Sequence, residues 1–354
     1  MSITHAKSQI DLVINKARIH LYKPIQIAEI LHRKRIYKNI DLSSLEMYRT
    51  SSRKWRDDIC IKFLGRTSTS SARFQDNLFD KNAIPPCVLV TLDQYNTNGE
   101  VEAYIYNAFK ERHFQMINGL DLVKKSNKKT FQLNQFIESF RRNSGLSRSV
   151  DKIFEIIVYA IFSTLLDNLN AKIKISIANK ENEVLKEFSD FTEKILGLTH
   201  ERSELIDSPR VYRVGVTNAA DRGVDMWANF GLAIQIKHLS LTSKNTDDIT
   251  AGISADRIVI VCRDCDKSIL LTVLRQFGQG GRIQAVITED ELIKWYEKAL
   301  RGKCANILGD KVLEQLNSEI IAEFPITEPL EFENFWNERN YILPKNSHWS
   351  IDQS

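Results

Sequence analysis

The chain has 354 residues, of which 43% are hydrophobic and 27% charged, with a mean hydropathy of −0.29 and a net charge of +4. That length buries one large core or two domains, and the composition excludes a fibrous, disordered or disulfide-stapled protein. The longest apolar run, Ile156 to Phe162, is far too short to span a bilayer, and MSITHAKSQIDLV lacks the apolar core of a secretion signal. A soluble intracellular protein with no membrane partner is expected. Five cysteines in odd number fit a reducing cytoplasm, and Cys262-x-x-Cys265, with no second pair, reads as free thiols rather than a metal site.

Residues 6 to 37 are expected to be helical, with Ile10, Val13, Ile14 and Ala17 at helical spacing and Pro24 opening a second helix. From Arg33 to Arg66 ten Lys and Arg stand against four acids, a local excess of +6, interleaved with Tyr37, Tyr48 and Trp55. Basic residues among aromatics suit phosphate contact, although a charge run taken alone is usually a solvated helix face. Gly65 to Asn77 then carries five hydroxyl residues in succession between arginines, followed by Gln75 and Asn77. It reads as a polar loop before a Ser-capped helix, or as a surface bonding phosphates and base edges. A nucleic-acid-contacting surface is expected. It puts Arg53, Lys54 and Arg56 on phosphates and base recognition on Arg66, Arg73, Gln75 and Asn77, with Ser68 and Ser70 among the DNA contacts. Val88 to Leu92 and Glu100 to Tyr106 read as strands around an Asn96–Gly99 turn, Phe131 to Phe140 as a helix, and Arg141 to Gly145 as a linker.

Asp151 to Leu166 is apolar almost all round, hence a buried helix whose one internal charge is Glu155. A buried carboxylate needs a cation, metal or hydrogen-bonding partner, although a glutamate bonded to a neighbouring turn would satisfy the same need. Val211 to Val216 alternates as a strand, and Asn218 to Gly223 favours a turn. Val224 to Trp227 and Leu232 to Lys237 form a hairpin. A polar stretch from Thr242 and a helix ending near Ser254 follow. Next come a buried strand (Arg257 to Arg263), a helix (Ser268 to Phe277), a strand (Arg282 to Ile287) and helices at Glu289–Leu300 and Val312–Phe324. The aromatic end around Phe335-Trp336 is expected to pack on the body.

The chemistry concentrates in the hairpin. Alternation puts Ile234 and Ile236 on one side and Gln235 and Lys237 on the other, and the hairpin return brings Asp225 toward that polar pair. A carboxylate and an amide oxygen would hold Mg²⁺, while a lysine orients or polarises the attacking water. Asp221 is a second acid in a turn that commonly carries Asp. His238 points to the opposite face and is left out. The bland alternative is a β-hairpin with polar residues on its exposed face. Asp225 followed by Gln235-Ile236-Lys237 resembles the PD-(D/E)xK nuclease signature, with Val224 for the proline and Gln235 for the second acid. A neutral ligand there leaves the metal count open. In that superfamily the preceding helix often bears a glutamate near the metal, which Glu155 matches. The order from Asp151 onward also matches the restriction-nuclease core.

Several stretches resemble the HaeII-type restriction endonuclease family: Ile19 to Glu29, Trp55-Arg56-Asp57-Asp58, Gly65 to Phe79, Arg222 to Asp225, and Gln235 to Lys237. The resemblance implies a bacterial type II enzyme that cuts double-stranded DNA at RGCGCY (R purine, Y pyrimidine), with Mg²⁺ and as a homodimer matched to the palindrome. The expected fold is α/β with a mixed α+β sheet: an α/β DNA-recognition and dimerisation region over 1–145, a PD-(D/E)xK catalytic core over 146–302, and a helical tail over 303–354 packed on that core. Phosphodiester hydrolysis would leave 5′-phosphate and 3′-hydroxyl ends. Asp225 and Gln235 would be the metal ligands, Lys237 would act on the nucleophile, Glu155 would assist, and no nucleotide cofactor is expected. A repair or junction-resolving nuclease, or a DNA-binding protein that lost catalysis, are the alternatives.

Overall fold

The computed structural model describes the chain except residues 18–19, 68–76, 143–145, 147–148, 180, 215–223, 238–239, 242–252, 254, 267–268, 270–281, 325–328, 343–347 and 351–354. It divides into two compact units, one built from Met1–Ile153 and Asn317–Ser354, the other from Phe154–Gly215 and Ala220–Leu316.

The described elements of the first unit are helical. Helix α1 (Ile3–Lys16) starts at Ser2, whose hydroxyl accepts from the His5 N–H, and buries Ala6, Ile10, Val13 and Ile14 along one stripe. Then come α2 (Tyr22–Tyr37), α3 (Ser51–Leu64), α4 (Pro86–Gln94), α5 (Glu100–Lys124) and α6 (Leu133–Arg141). The strands expected at Val88–Leu92 and Glu100–Tyr106 are therefore helices, and this region is helical rather than α/β among its described residues. Pro86 occupies the first helical turn, where its missing N–H costs nothing, and Val88, Leu89 and Leu92 are buried at helical spacing. The alternation read over Glu100–Tyr106 is a fragment of a longer helical pattern that continues through Phe109, Met116, Leu120 and Val123. The aromatic end belongs to this first unit. Phe335, on the helix Pro329–Glu338, meets Phe63 with centroids 5.0 Å apart and Tyr106 at 4.8 Å.

Two buried carboxylates tie these helices together. Glu102, fully buried on α5, accepts from Arg35 in a two-pronged contact (2.9 and 2.9 Å), from Asn96 (2.7 Å) and from the Tyr341 hydroxyl (2.9 Å), with the His32 ring 3.1 Å away. Glu29 on α2 accepts from Tyr106 (2.6 Å) and Arg339 (3.2 Å). A buried charge without such partners would be expensive, so both acids specify which helices meet.

The second unit carries the sheets. Helix α7 (Val150–Asn168) crosses from the first unit into it, and its buried middle follows from its apolar run. Strands β1 (Ile173–Ser176) and β2 (Glu204–Asp207) pair antiparallel as a separate ribbon, with the short helices α8 (Glu183–Glu187) and α9 (Ser189–Leu196) between them. The main sheet has the order β3 (Val211–Arg213), β4 (Met226–Ala228), β5 (Leu232–Lys237), β6 (Arg257–Cys262), β7 (Ile283–Thr288). Pairing is antiparallel from β3 to β5 and parallel from β5 to β7. Helix α10 (Glu289–Arg301) leaves β7 through a capping box of Thr288 and Glu291, and its Tyr296 hydroxyl donates to the Ile157 carbonyl of α7 (2.8 Å). Helix α11 (Ala305–Glu323) follows. The helix expected at Ser268–Phe277 and the polar stretch from Thr242 lie almost wholly outside the described residues. Among the described residues no helix is long and apolar enough to cross a membrane.

Burial raises the Glu102 carboxyl, yet hydrogen bonds from Arg35, His32 and Asn96 and the Arg35 charge outweigh it and hold the group down at about 2. Burial of His113 on α5 lowers its imidazole to about 4. Both folded values lie below the ordinary ones of 4.5 and 6.5, so the unfolded chain takes up each proton first and acid erodes stability. The His113 contribution is expected to be lost as pH falls from 6.5 toward about 4. That of Glu102, about 3 kcal/mol, should be lost between 4.5 and about 2. Urea melts across this range check the prediction. Glu102→Gln should abolish the lower limb and lower the midpoint at neutral pH.

Candidate active site

The site is assembled by one short reversal. Chain direction changes at Ala228–Gly231, where the Gly231 N–H donates to the Ala228 carbonyl (3.0 Å) and Gly231 adopts φ +80°, a conformation glycine takes without strain. Asn229 docks the turn against the entry to β3, accepting from the Arg210 N–H (2.9 Å) and donating to the Ser208 carbonyl (3.0 Å). The rings of Tyr212 and Trp227 are register partners and stack with centroids 4.5 Å apart, which pins β3 against β4. Asp225 is the residue immediately before β4. Its carbonyl accepts from the Val214 N–H (2.9 Å) and its N–H donates to the Ile234 carbonyl (3.2 Å), so its backbone is fixed from both sides.

The side chains then meet as the spacing predicts. Asp225 Oδ2 accepts from Gln235 Nε2 at 2.6 Å and from the Ile236 backbone N–H at 2.7 Å. Gln235 is not on an exposed face, however. It is 3% exposed, and in register with Ile260 it continues the row of Ala233 beside Ile258 and Ile260, which belong to one apolar cluster. An amide on such a face must find a polar partner, and Asp225 supplies it. Lys237 lies two residues on, at the exposed end of β5, on the same side by alternation. Glu155 is buried at 8% exposure on α7, within the same unit. Asp221 and His238 lie outside the described residues.

The donor set is hard: one carboxylate and one amide, and no group of three or more His, Cys, Asp or Glu suited to a metal occurs among the described residues. Such oxygen donors suit a hard divalent cation. The amide turns its N–H to the carboxylate here. Rotation about its last torsion would turn the oxygen to a shared cation, and that torsion is soft.

Of the expected DNA contacts, Lys54 and Asn77 are exposed and Arg53 is half-buried. Arg56 is a correction. It is 1% exposed, and its guanidinium donates to Asp57 (2.8 and 2.5 Å) and to Gln26 (3.2 Å), whose own amide donates to Ser52 (2.9 Å). It joins α2 to α3 instead of facing solvent. Arg66 is half-buried, contacting the His20 ring and the Glu323 carbonyl. Ser68, Ser70, Arg73 and Gln75 lie outside the described residues. Two features escaped the sequence reading. One is the Ile236 N–H as a second donor to Asp225, a main-chain group no side-chain pattern reports. The other is Arg33, whose guanidinium lies 4.6 Å from the Trp55 ring centre and 4.9 Å from that of Tyr37. The basic-aromatic composition held that signal.

A mixed sheet fed by a buried helix, with an acid, an amide and a lysine on one hairpin, is the organisation of a restriction-endonuclease-like nuclease. The model of the HaeII restriction endonuclease family matches residues 6–341, and the chain belongs to that family. It is 52% identical to the type II restriction enzyme HaeII of Haemophilus aegyptius over 338 residues, covering 95% of this chain and 96% of that one. It is 49% identical to the type II restriction enzyme NgoBI of Neisseria gonorrhoeae over 342 residues, covering 96% and 97%. No solved structure matches the chain. The protein is thus a type II site-specific deoxyribonuclease acting on DNA, a class that generally uses a divalent metal.

Gln235→Glu puts two carboxylates in contact on a buried face, where both cannot ionise cheaply. Without a divalent cation its melting temperature should fall at neutral pH by the equivalent of about 1–3 kcal/mol. Added Mg²⁺ should restore more of it than in the native chain. Thermal melts with and without the cation decide this, and equal Mg²⁺ responses would contradict the assignment.

Proposed function

We propose that this enzyme cleaves double-stranded DNA at RGCGCY with Mg²⁺, and that Asp225, Gln235 and Lys237 carry the reaction. The single observation that supports the site is the 2.6 Å contact between Asp225 and Gln235 on the strand that ends at Lys237. The target sequence follows from family resemblance alone. In this reading Asp225 is the principal metal ligand and is held in orientation by the Ile236 N–H. Gln235 presents its carbonyl as a second ligand or positions water. Asp225 and Gln235 would hold the cation, which would supply polarisation of the phosphoryl oxygen and a better water nucleophile at neutral pH. Lys237 orients that water and offsets charge developing on the phosphate. Water oxygen bonds to phosphorus and gives up a proton to solvent, the bond to the 3′ oxygen breaks, and that oxygen takes a proton from solvent, leaving 5′-phosphate and 3′-hydroxyl ends. Glu155 is the auxiliary carboxylate. The palindrome has two-fold symmetry, so a homodimer sets one centre on each strand.

Phosphate contacts fall to Arg53 and Lys54, joined by Arg33. Its stacking between Trp55 and Tyr37 holds the guanidinium in place before DNA arrives. Base recognition falls to Arg66, Arg73, Gln75 and Asn77.

Plasmid digestion tests the chemistry. Asp225→Ala and Lys237→Ala should each slow cleavage by about 10³-fold or more while binding of an RGCGCY duplex persists in metal-free buffer. Fragments at native rates from Asp225→Ala would sink the mechanism, and native-enzyme fragments mapping to another sequence would remove the target. For the contacts, Lys54→Ala should reduce the slope of log affinity against log salt by about 1. Arg56→Ala should instead lower the melting temperature and leave that slope alone.

A further inference from the structure

Between Leu169 and Ile206 the second unit exposes far more apolar surface than its charge or its own core requires. Of the 22 large apolar side chains exposed among the described residues, eight fall in this stretch, about a tenth of the chain. Its described residues bury only Leu185, Leu198 and Ser203. Phe188, Phe191 and Ile195 recur at three- and four-residue spacing, so they form one stripe along α9. They are 50%, 55% and 65% exposed, and Val184 on the preceding helix is 64% exposed. Meanwhile the polar groups are satisfied locally. Lys174 pairs with Glu204 (2.6 Å), Lys186 with Glu181 and Glu183 (3.2 Å each), and Lys194 with Asp190 (3.7 Å). Among the described residues the ribbon of β1 and β2 that carries these helices pairs with no other strand, and a two-stranded ribbon alone is marginally stable in water.

We infer that the α9 stripe is the surface on which a second copy of this chain docks. The inference rests on the homodimer reading above and gives it a location. DNA is a poor occupant, because the arm from Leu169 to Asp207 carries six Lys and Arg against eight Asp and Glu, net −2 in a chain of net +4. A protein partner fits that charge and that apolar stripe. The partner is this chain itself, since each copy brings one Asp225 hairpin and cutting both strands of a duplex takes two. The area suffices. Phe188 and Phe191 each offer roughly 150–250 Å² when fully exposed, and with Val184 and Ile195 the stripe, about half exposed, presents on the order of 300–500 Å² of apolar surface. That matches the apolar share, a little over half, of a standard interface of ~800 Å² per partner.

Sedimentation velocity of the full-length enzyme, compared with Phe191→Lys and Ile195→Lys, tests this. The native chain should sediment as a dimer at micromolar concentration. Each variant should raise the dimer Kd at least about 30-fold with unchanged far-ultraviolet circular dichroism. A native dimer that both variants leave intact overturns the surface but keeps the dimer. A monomeric native chain overturns both. Variants that lose circular dichroism also overturn it, because the stripe would then be packed within its own protomer.

Discussion

Asp225 Oδ2 is gripped by two donors of the neighbouring strand, the side-chain amide of Gln235 and the main-chain N–H of Ile236. Each donor does something the other cannot. The main-chain bond fixes where the carboxylate sits relative to β5, whatever residue stands at 236. The amide bond fixes the partner on a face that is otherwise isoleucine and alanine, where an unpaired amide would be costly. The hairpin turn, the Tyr212–Trp227 stack and the antiparallel register all serve to deliver that one contact. A slip of one residue would carry Gln235 to the opposite face and Ile236 into its place.

The sheet around it explains why this strand carries the chemistry. β5 has an antiparallel neighbour on one side and a parallel one on the other. Both of its edges are therefore paired, Ala233 to Ile236 are buried, and the strand comes out into solvent at Lys237. Such a strand is rigid where it places the amide and the main-chain N–H that grip the acid, and open where it offers a cation to a polyanion.

Much of this was legible in the residues. Asn and Gly between two short apolar runs announced the hairpin, and period-two alternation put Gln235 and Lys237 on one side. The near-continuous apolar run from Ile153 announced the buried α7. What failed had physical causes. Glu100–Tyr106 alternates for seven residues by accident of a helical pattern, and only the wider window through Phe109 and Met116 separates the two periods. Arg56 reads as a surface base because charge is local in a sequence, whereas its partner Gln26 is thirty residues away. The burial of Gln235 was hidden for a related reason. It depends on β6, whose pairing with β5 no local pattern encodes.

The first unit begins with the first helix and is closed by the last. Phe335 and Tyr341 come from the end of the chain, yet they pack on Phe63 and Tyr106 and complete the partners of Glu102. Synthesis runs in one direction, so the ribosome delivers the entire hairpin before it delivers the segment that finishes the amino-terminal unit. A partly made chain holds its Asp225 hairpin before the first unit is complete. This order of assembly delays a finished first unit until the segment carrying Phe335 and Tyr341 has been made.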